Sequence, residues 1–164
     1  MKKLTLIRHA KSDWHSPVNS DFDRPLNGRG QKAAPLIGQR MAERGCVPDL
    51  LISSPAKRAR QTAKKISEQI DYPETEIIFR EEIYEAGLNT LIDLINQLDD
   101  SNAEVILIGH NPGFSDLGQW LSTEAPDWLP TCGLLELEVP ISDWAKITED
   151  CATLLLYDYP KKAG

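Results

Sequence analysis

Val105-Ile106-Leu107-Ile108-Gly109-His110-Asn111-Pro112-Gly113 is the stretch on which the fold turns. Four consecutive branched apolar residues suit a strand buried on both faces. The run breaks at Gly109, and Asn111-Pro112-Gly113 marks a sharp turn. A short helical pattern follows to about Leu121. A strand that stops at a turn and leads into a helix is the repeating unit of an α/β sheet.

The same rhythm extends outward in both directions. Leu4 to Ile7 and Leu50 to Ser53 read as further buried strands. The first precedes a helix over about Asn27 to Arg44, with Leu36, Ile37 and Met41 on one face and Gly45 as a stop. Pro35 predicts a kink or a late start in that helix. The second leads into a helix from about Pro55 to Ile70, with Ser54 as N-cap and Pro55 in the first position. Glu76 to Phe79 reads as a short strand and Leu88 to Leu98 as a helix with Leu91, Leu94, Ile95 and Leu98 aligned. Leu134 to Val139 and Ala152 to Tyr157 read as late strands, either antiparallel neighbours or additions at a sheet edge. The expected fold class is a mainly parallel α/β sheet, organised as one domain over residues 1–164.

Composition narrows the function. Hydrophobic residues make up 41% of the 164 and charged residues 26%, which is ordinary for a globular chain. The formal net charge is −7. That balance disfavours a nucleic-acid backbone as the main partner, while leaving room for a local cationic pocket. No apolar run approaches the ~18 residues of a membrane span, and Leu4 to Ile7 is too short for an export signal. Cys46, Cys132 and Cys151 are scattered and odd in number, which suits a reducing compartment and a cytoplasmic setting.

Ligands of such sheets sit beyond the carboxyl ends of the strands. Three strand ends here deliver unusual groups: Arg8-His9, then Lys57, Arg58 and Arg60, then His110. Singly, each has an ordinary explanation as a solvated arginine or a structural histidine. Together they place two imidazoles and at least two guanidiniums on one rim. The cations near the start of the second helix oppose its dipole, and a helix start also presents free N–H groups. That combination suits an anion, and the arginine fork matches phosphate oxygens.

Three motifs carry a resemblance. Leu6-Ile7-Arg8-His9-Ala10-Lys11-Ser12, Ser53-Ser54-Pro55-Ala56-Lys57-Arg58-Ala59-Arg60-Gln61-Thr62-Ala63 and Ile108-Gly109-His110-Asn111-Pro112-Gly113 resemble the histidine phosphatase superfamily. The resemblance runs in order from Met1 to about Leu121. The short length looks like the SixA-type branch of phosphohistidine phosphatases. It implies a phosphoglycerate mutase-like three-layer α/β/α sandwich and no metal or other cofactor. His9 would be the nucleophile, Arg8 and Arg58 would bind the phosphoryl oxygens, and His110 would complete the pocket.

The chemistry agrees. Phosphoryl transfer needs in-line attack and positive charge around the equatorial oxygens. A neutral imidazole is a competent nucleophile near pH 7, and the neighbouring cations favour the neutral form of His9. Departures from the family pattern are Ala10 in place of glycine, Lys11 in place of an acid, and His15 where an asparagine often helps hold phosphate. His15 is therefore a candidate substitute phosphate donor. Glu81, Glu82 and Glu85 lie where related enzymes place a general acid. Glu85 is favoured slightly over Glu82, and the acid is dispensable if the leaving group is imidazole.

The expected activity is hydrolysis of phosphomonoester or phosphoramidate bonds through phospho-His9. The favoured substrate is phosphohistidine on a protein. The alternatives are a small phosphorylated metabolite, such as a sugar or nucleotide phosphate, and a phosphate- or phosphoprotein-binding module without turnover. Other motifs carry less. Gly28-Arg29-Gly30-Gln31-Lys32-Ala33 fits a dinucleotide fingerprint but lacks the preceding strand, so it reads as a helix-entry turn. Asp21-Phe22-Asp23 reads as solvated loop charge. A zinc set of His9, His15 and His110 is opposed by the arginines. Trp14 is a candidate wall of the pocket, and Trp120, Trp128 and Trp144 read as packing residues.

Overall fold

The computed structural model describes residues 1–18 and 20–162. In chain order the elements are β1 (Lys2–Arg8), α1 (Gly28–Glu43), β2 (Leu50–Ser53), α2 (Lys57–Gln69), β3 (Ile78–Phe79), α3 (Leu88–Asn96), β4 (Glu104–Gly109), α4 (Gly113–Leu121), β5 (Leu134–Val139) and β6 (Thr153–Asp158). The sheet order is β3-β2-β4-β1-β5-β6. The first four in that order run parallel. β5 is antiparallel to β1, and β6 to β5. The late strands thus form an antiparallel edge on a parallel sheet. This is the three-layer phosphoglycerate mutase-like fold.

The central strands explain the layers. Leu4, Leu6, Val105 and Leu107 pack into one cluster with Leu91, Leu94 and Ile95 of α3 and Phe114, Leu117 and Leu121 of α4. Ile7, Ile106 and Ile108 point the other way, onto Ala34, Ile37 and Met41 of α1 and Ala59, Ala63 and Ile66 of α2. The strand period of two therefore feeds both layers from one apolar run. Each fully buried large apolar side chain contributes about 1.5–3 kcal/mol.

Several expected boundaries move. α1 starts at Gly28 and runs through Pro35, so there is no late start. Asn27 caps it by accepting from the Gly30 N–H at 2.9 Å, and its own N–H donates to the Lys11 carbonyl at 3.0 Å. Leu36 is 38% exposed, and the buried face is Ala34, Ile37, Gly38 and Met41. α2 starts at Lys57 with Ala56 as its N-cap, not at Pro55 after a Ser54 cap. Ser54 is instead committed to the neighbouring strand end, as described below. Only Ile78–Phe79 of the expected third run is strand, because Glu74–Glu76 forms a 3-10 turn. No helix among the described residues is long and apolar enough to cross a membrane.

Gly28-x-Gly30 has a packing role. A Cβ on Gly30 would lie 2.1 Å from the Lys11 carbonyl oxygen. The first turn of α1 therefore presses directly on the backbone two residues after His9. Gly30→Ala should destabilise the protein by about 1–3 kcal/mol, read as a fall in Tm of several degrees. An unchanged Tm would show that this backbone approach is not a constraint.

Candidate active site

Register brings the two histidines together. Arg8 pairs with Gly109 across the β1–β4 ladder, and the His9 N–H donates to the Gly109 carbonyl at 2.9 Å. The residues just past these strand ends are His9 and His110. Their ring centroids lie 5.1 Å apart, tilted by 53°. Both rings are buried, at 6% and 8% exposure.

His9 Nδ1 lies 2.7 Å from the Ala10 carbonyl oxygen. A carbonyl only accepts, so Nδ1 carries the proton and the Nε2 lone pair is free. The pKa of His9 is held well below the ordinary histidine value. Burial is the main cause; the Ala10 bond opposes it, and His110, Arg58 and Arg8 add to it. Desolvation thus outranks the cations that sequence reasoning credited. His110 is pushed down to about 3, chiefly by burial and then by Arg58. Its Nε2 lies 2.7 Å from Ser54 Oγ, which also accepts from the Ala56 N–H at 3.2 Å. A Ser54 hydroxyl that donates to Nε2 leaves the proton on Nδ1.

The arginines are fixed by their surroundings. Arg8 Nη1 donates to the Leu129 carbonyl at 3.1 Å, which Asn111 Nδ2 also reaches at 2.7 Å. Arg58, 5% exposed, donates from Nη1 to the Asp21 carbonyl at 2.7 Å and from Nη2 to Asp21 Oδ2 at 2.9 Å. Thr62 ties α2 to the segment after His9. Its hydroxyl accepts from the Ala10 N–H at 3.0 Å and donates to the Arg58 carbonyl at 2.8 Å. Arg8 Nε, Arg58 Nε, Arg24 Nη1 and His110 Nδ1 are buried without a protein partner. Such groups are costly unless an acceptor meets them. The four residues that carry them line one pocket, whose cations and histidines suit an oxygen-rich anion.

The pocket is also lined by Lys11, Ser12, Trp14, Asp21, Arg24, Tyr84, Glu85, Asn111 and Thr131. The structure therefore gathers Arg8, His9, Arg58, His110 and Glu85. His15 is left out: it is exposed, outside the lining, with its N–H held by Asp13 Oδ1 at 2.8 Å. Ser12, which bridges to Leu26, and Trp14 still line the pocket just ahead of it. Glu82 is also outside, paired with Arg80 at 3.0 and 2.6 Å. Lys57 and Arg60 line a different hollow, so of the three cations in the first turn or two of α2 only Arg58 faces this pocket.

Sequence reasoning missed Arg24 and Asp21. Arg24 is 7% exposed and its guanidinium lies 3.5 Å from the Trp14 ring centroid, which makes Trp14 a wall of the pocket. Asp21 accepts from Arg24 Nη2 at 2.9 Å, Arg58 Nη2 at 2.9 Å and the Tyr84 hydroxyl at 2.8 Å. Partial burial pushes its carboxyl up, but the Arg24 and Tyr84 bonds and the Arg58 charge outweigh that and bring it down to about 2. It is a bracket for the arginines rather than a solvated loop charge. The signal was faint: an arginine fifteen residues after His9, ahead of Pro25-Leu26 and with no strand before it.

With this geometry in view, a family model described as histidine phosphatase superfamily (branch 1) matches residues 4–106. The chain belongs to the histidine phosphatase superfamily. Within the superfamily, it is 32% identical over 165 residues to an uncharacterized protein of Mycobacterium tuberculosis, covering 94% of this chain and 100% of the relative. A crystal structure from Agrobacterium tumefaciens named for the phosphohistidine phosphatase SixA matches with a TM-score of 0.83 at 30% identity, over 97% of this chain and 98% of that one. A protein histidine phosphatase SixA complexed with tungstate matches with a TM-score of 0.78 at 21% identity, over 96% and 97%; that likeness concerns the fold. The SixA-type branch is thus the part of the superfamily this chain resembles.

The depressed histidines make stability pH-dependent. Each is neutral when folded and titrates near 6.5 when unfolded. The unfolded state therefore binds more protons below that pH, and stability falls as pH drops. The expected slope is about 1.4 kcal/mol per pH unit for each histidine that stays neutral. Urea unfolding at pH 7 and pH 5 measures it, and His110→Gln should flatten it. Equal stability of the unsubstituted protein at both pH values would contradict the assignment.

Proposed function

We propose that this protein is a phosphatase acting through a phosphohistidine intermediate on His9, with phosphohistidine on a protein as its substrate. The observation that carries the reading is the Nδ1 bond of His9 to the Ala10 carbonyl, which leaves its Nε2 lone pair free, with the ring centroid of His110 5.1 Å from that of His9. Nε2 attacks phosphorus in line with the leaving nitrogen of the substrate. The Nε2–P bond forms as the substrate's P–N bond breaks, and the released imidazole takes a proton from solvent, which the attacking water of the next step returns. Water then attacks phosphorus, the Nε2–P bond breaks, and inorganic phosphate leaves with His9 restored.

Arg8 and Arg58 bind the equatorial oxygens through guanidinium donors left over from their protein contacts, and Arg24 adds a third cation. His110 donates from Nδ1, and the approach of a phosphoryl dianion raises its pKa from the low resting value. Burial keeps His9 neutral, so it enters the reaction as a nucleophile without an activating base.

A second reading rests on Glu85. It lines the pocket in a left-handed conformation, φ 60°, which a glutamate rarely adopts. A carboxylic acid there suits an alkoxide leaving group, as in a small phosphomonoester.

One set of rates separates the readings. His9→Ala should lose at least about a thousandfold in kcat, and the unsubstituted enzyme should trap an acid-labile, base-stable phosphoryl adduct. Glu85→Gln should change turnover of a phosphohistidine protein by less than about threefold, but should cost about a hundredfold or more on alkyl phosphates. Retained activity in His9→Ala removes the proposed nucleophile. A kcat/KM higher for alkyl phosphates than for the phosphohistidine protein favours the second reading.

A further inference from the structure

A second hollow, of about 450 Å³, adjoins the catalytic pocket and shares Lys11 and Thr131 with it. Its other cations are Arg29 and Lys32 of α1 and Lys161 of the C-terminal segment. Among the described residues, none of these four cations has a carboxylate within ion-pair distance. In a chain of net charge −7, four cations without acidic partners around one hollow run against the overall balance. Arg29 and Lys32 also stand near the start of α1, where positive charge opposes the helix dipole and no acidic residue offsets it.

The wall of this hollow is built. Arg40 of α1 donates from Nη1 to Asp158 Oδ1 and the Tyr159 carbonyl, both at 3.0 Å. Its Nη2 reaches the Pro160 and Lys162 carbonyls at 3.2 Å. One guanidinium thus clamps the segment after β6 along α1 and sets Lys161 opposite Arg29 and Lys32. On the other side, the Cys132 N–H donates to the His9 carbonyl at 3.0 Å, so the Thr131 rim is tied to the nucleophile itself.

We propose that this hollow docks an acidic segment of the phosphorylated protein whose phosphohistidine enters the catalytic pocket. The inference rests on the phosphoprotein reading above and specifies it. The two hollows differ in chemistry. The catalytic pocket holds buried donors without protein partners, which suit a fixed phosphoryl group. No such buried donor lines the second hollow among the described residues. Its cations are exposed, and they alternate with apolar Leu36, Pro130 and Pro160. Long mobile cations over an apolar floor match scattered carboxylates and aliphatic stems on a protein surface better than a compact phosphate chain.

The test uses the doubly substituted Arg29→Glu/Lys32→Glu chain, and Lys161→Glu separately. None of these residues lines the catalytic pocket. Two substrates are compared: a phosphotransfer domain phosphorylated on histidine, with carboxylates around that histidine, and free phosphohistidine. The expected result is a loss of at least about tenfold in kcat/KM on the protein, carried by KM and weakened by salt. Turnover of free phosphohistidine should stay within about twofold, which also shows that the variants fold. Unchanged kcat/KM on the protein, or equal losses on both substrates, overturns the proposal.

Binding of a glutamate-rich peptide without phosphate, followed by fluorescence anisotropy, decides the hollow independently of turnover. Salt-sensitive binding that the double substitution abolishes supports docking. Equal binding by both chains, or tighter binding of a nucleoside triphosphate at the same cations, overturns it. Failure of the unsubstituted enzyme to turn over any phosphohistidine protein is a separate result, which strikes the reading of the catalytic pocket.

Discussion

The pairing of β1 with β4, in parallel and in one register, is the constraint on which the site depends. It sets the carboxyl ends of two strands side by side and places His9 and His110 one residue beyond them. Slipping the register by one residue would turn every side chain of β1 to the opposite layer. That would move Leu4 and Leu6 off α3 and α4 and Ile7 off α1 and α2. The apolar core thus holds the geometry of the two histidines in place.

Burial then sets the chemistry. The same packing that excludes water from the two imidazoles keeps them neutral, and it raises the cost of leaving arginine and histidine donors without acceptors. Asp21 moderates that cost. Its single carboxylate takes donors from Arg24, Arg58 and Tyr84, and so holds two guanidiniums near each other against their mutual repulsion. It leaves Arg58 Nε and Arg24 Nη1 unpartnered. The resting pocket is therefore oriented by a carboxylate yet keeps donors for a further anion.

Much of the fold was legible because the core strands are short, mostly apolar runs. Leu4 to Ile7, Leu50 to Ser53 and Val105 to Ile108 carry no charged residue, and even Thr5 and Ser53 within them are buried, so burial on both sides was their one good solution. Misreadings fell where a side chain had a local and a distant use. Ser54-Pro55 has the local form of a helix cap, but Ser54 serves His110 across the sheet and α2 begins at Lys57. Pro35 disfavours a helix locally, yet burial of Ala34, Ile37 and Met41 carries α1 through it. His15 stands six residues after His9 as a candidate phosphate donor, but it is exposed and outside the pocket, whereas Arg24, on a loop further along the chain, lines it.

By itself the order of residues determined the strand–helix rhythm, the three motifs and the identity of four groups, Arg8, His9, Arg58 and His110. Those are properties of local pattern, since periodicity and turn chemistry act over a few neighbours. Tertiary structure added Asp21 and Arg24 and decided among the loop candidates, keeping Trp14 and Glu85 and leaving out His15 and Glu82. Asp21, Arg24, Trp14 and Glu85 lie on segments without periodic pattern, and their positions follow from long-range hydrogen bonds and packing. The same holds for the main cause of the lowered histidine pKa values, because desolvation depends on what the whole chain folds over a ring and not on the residues beside it in sequence.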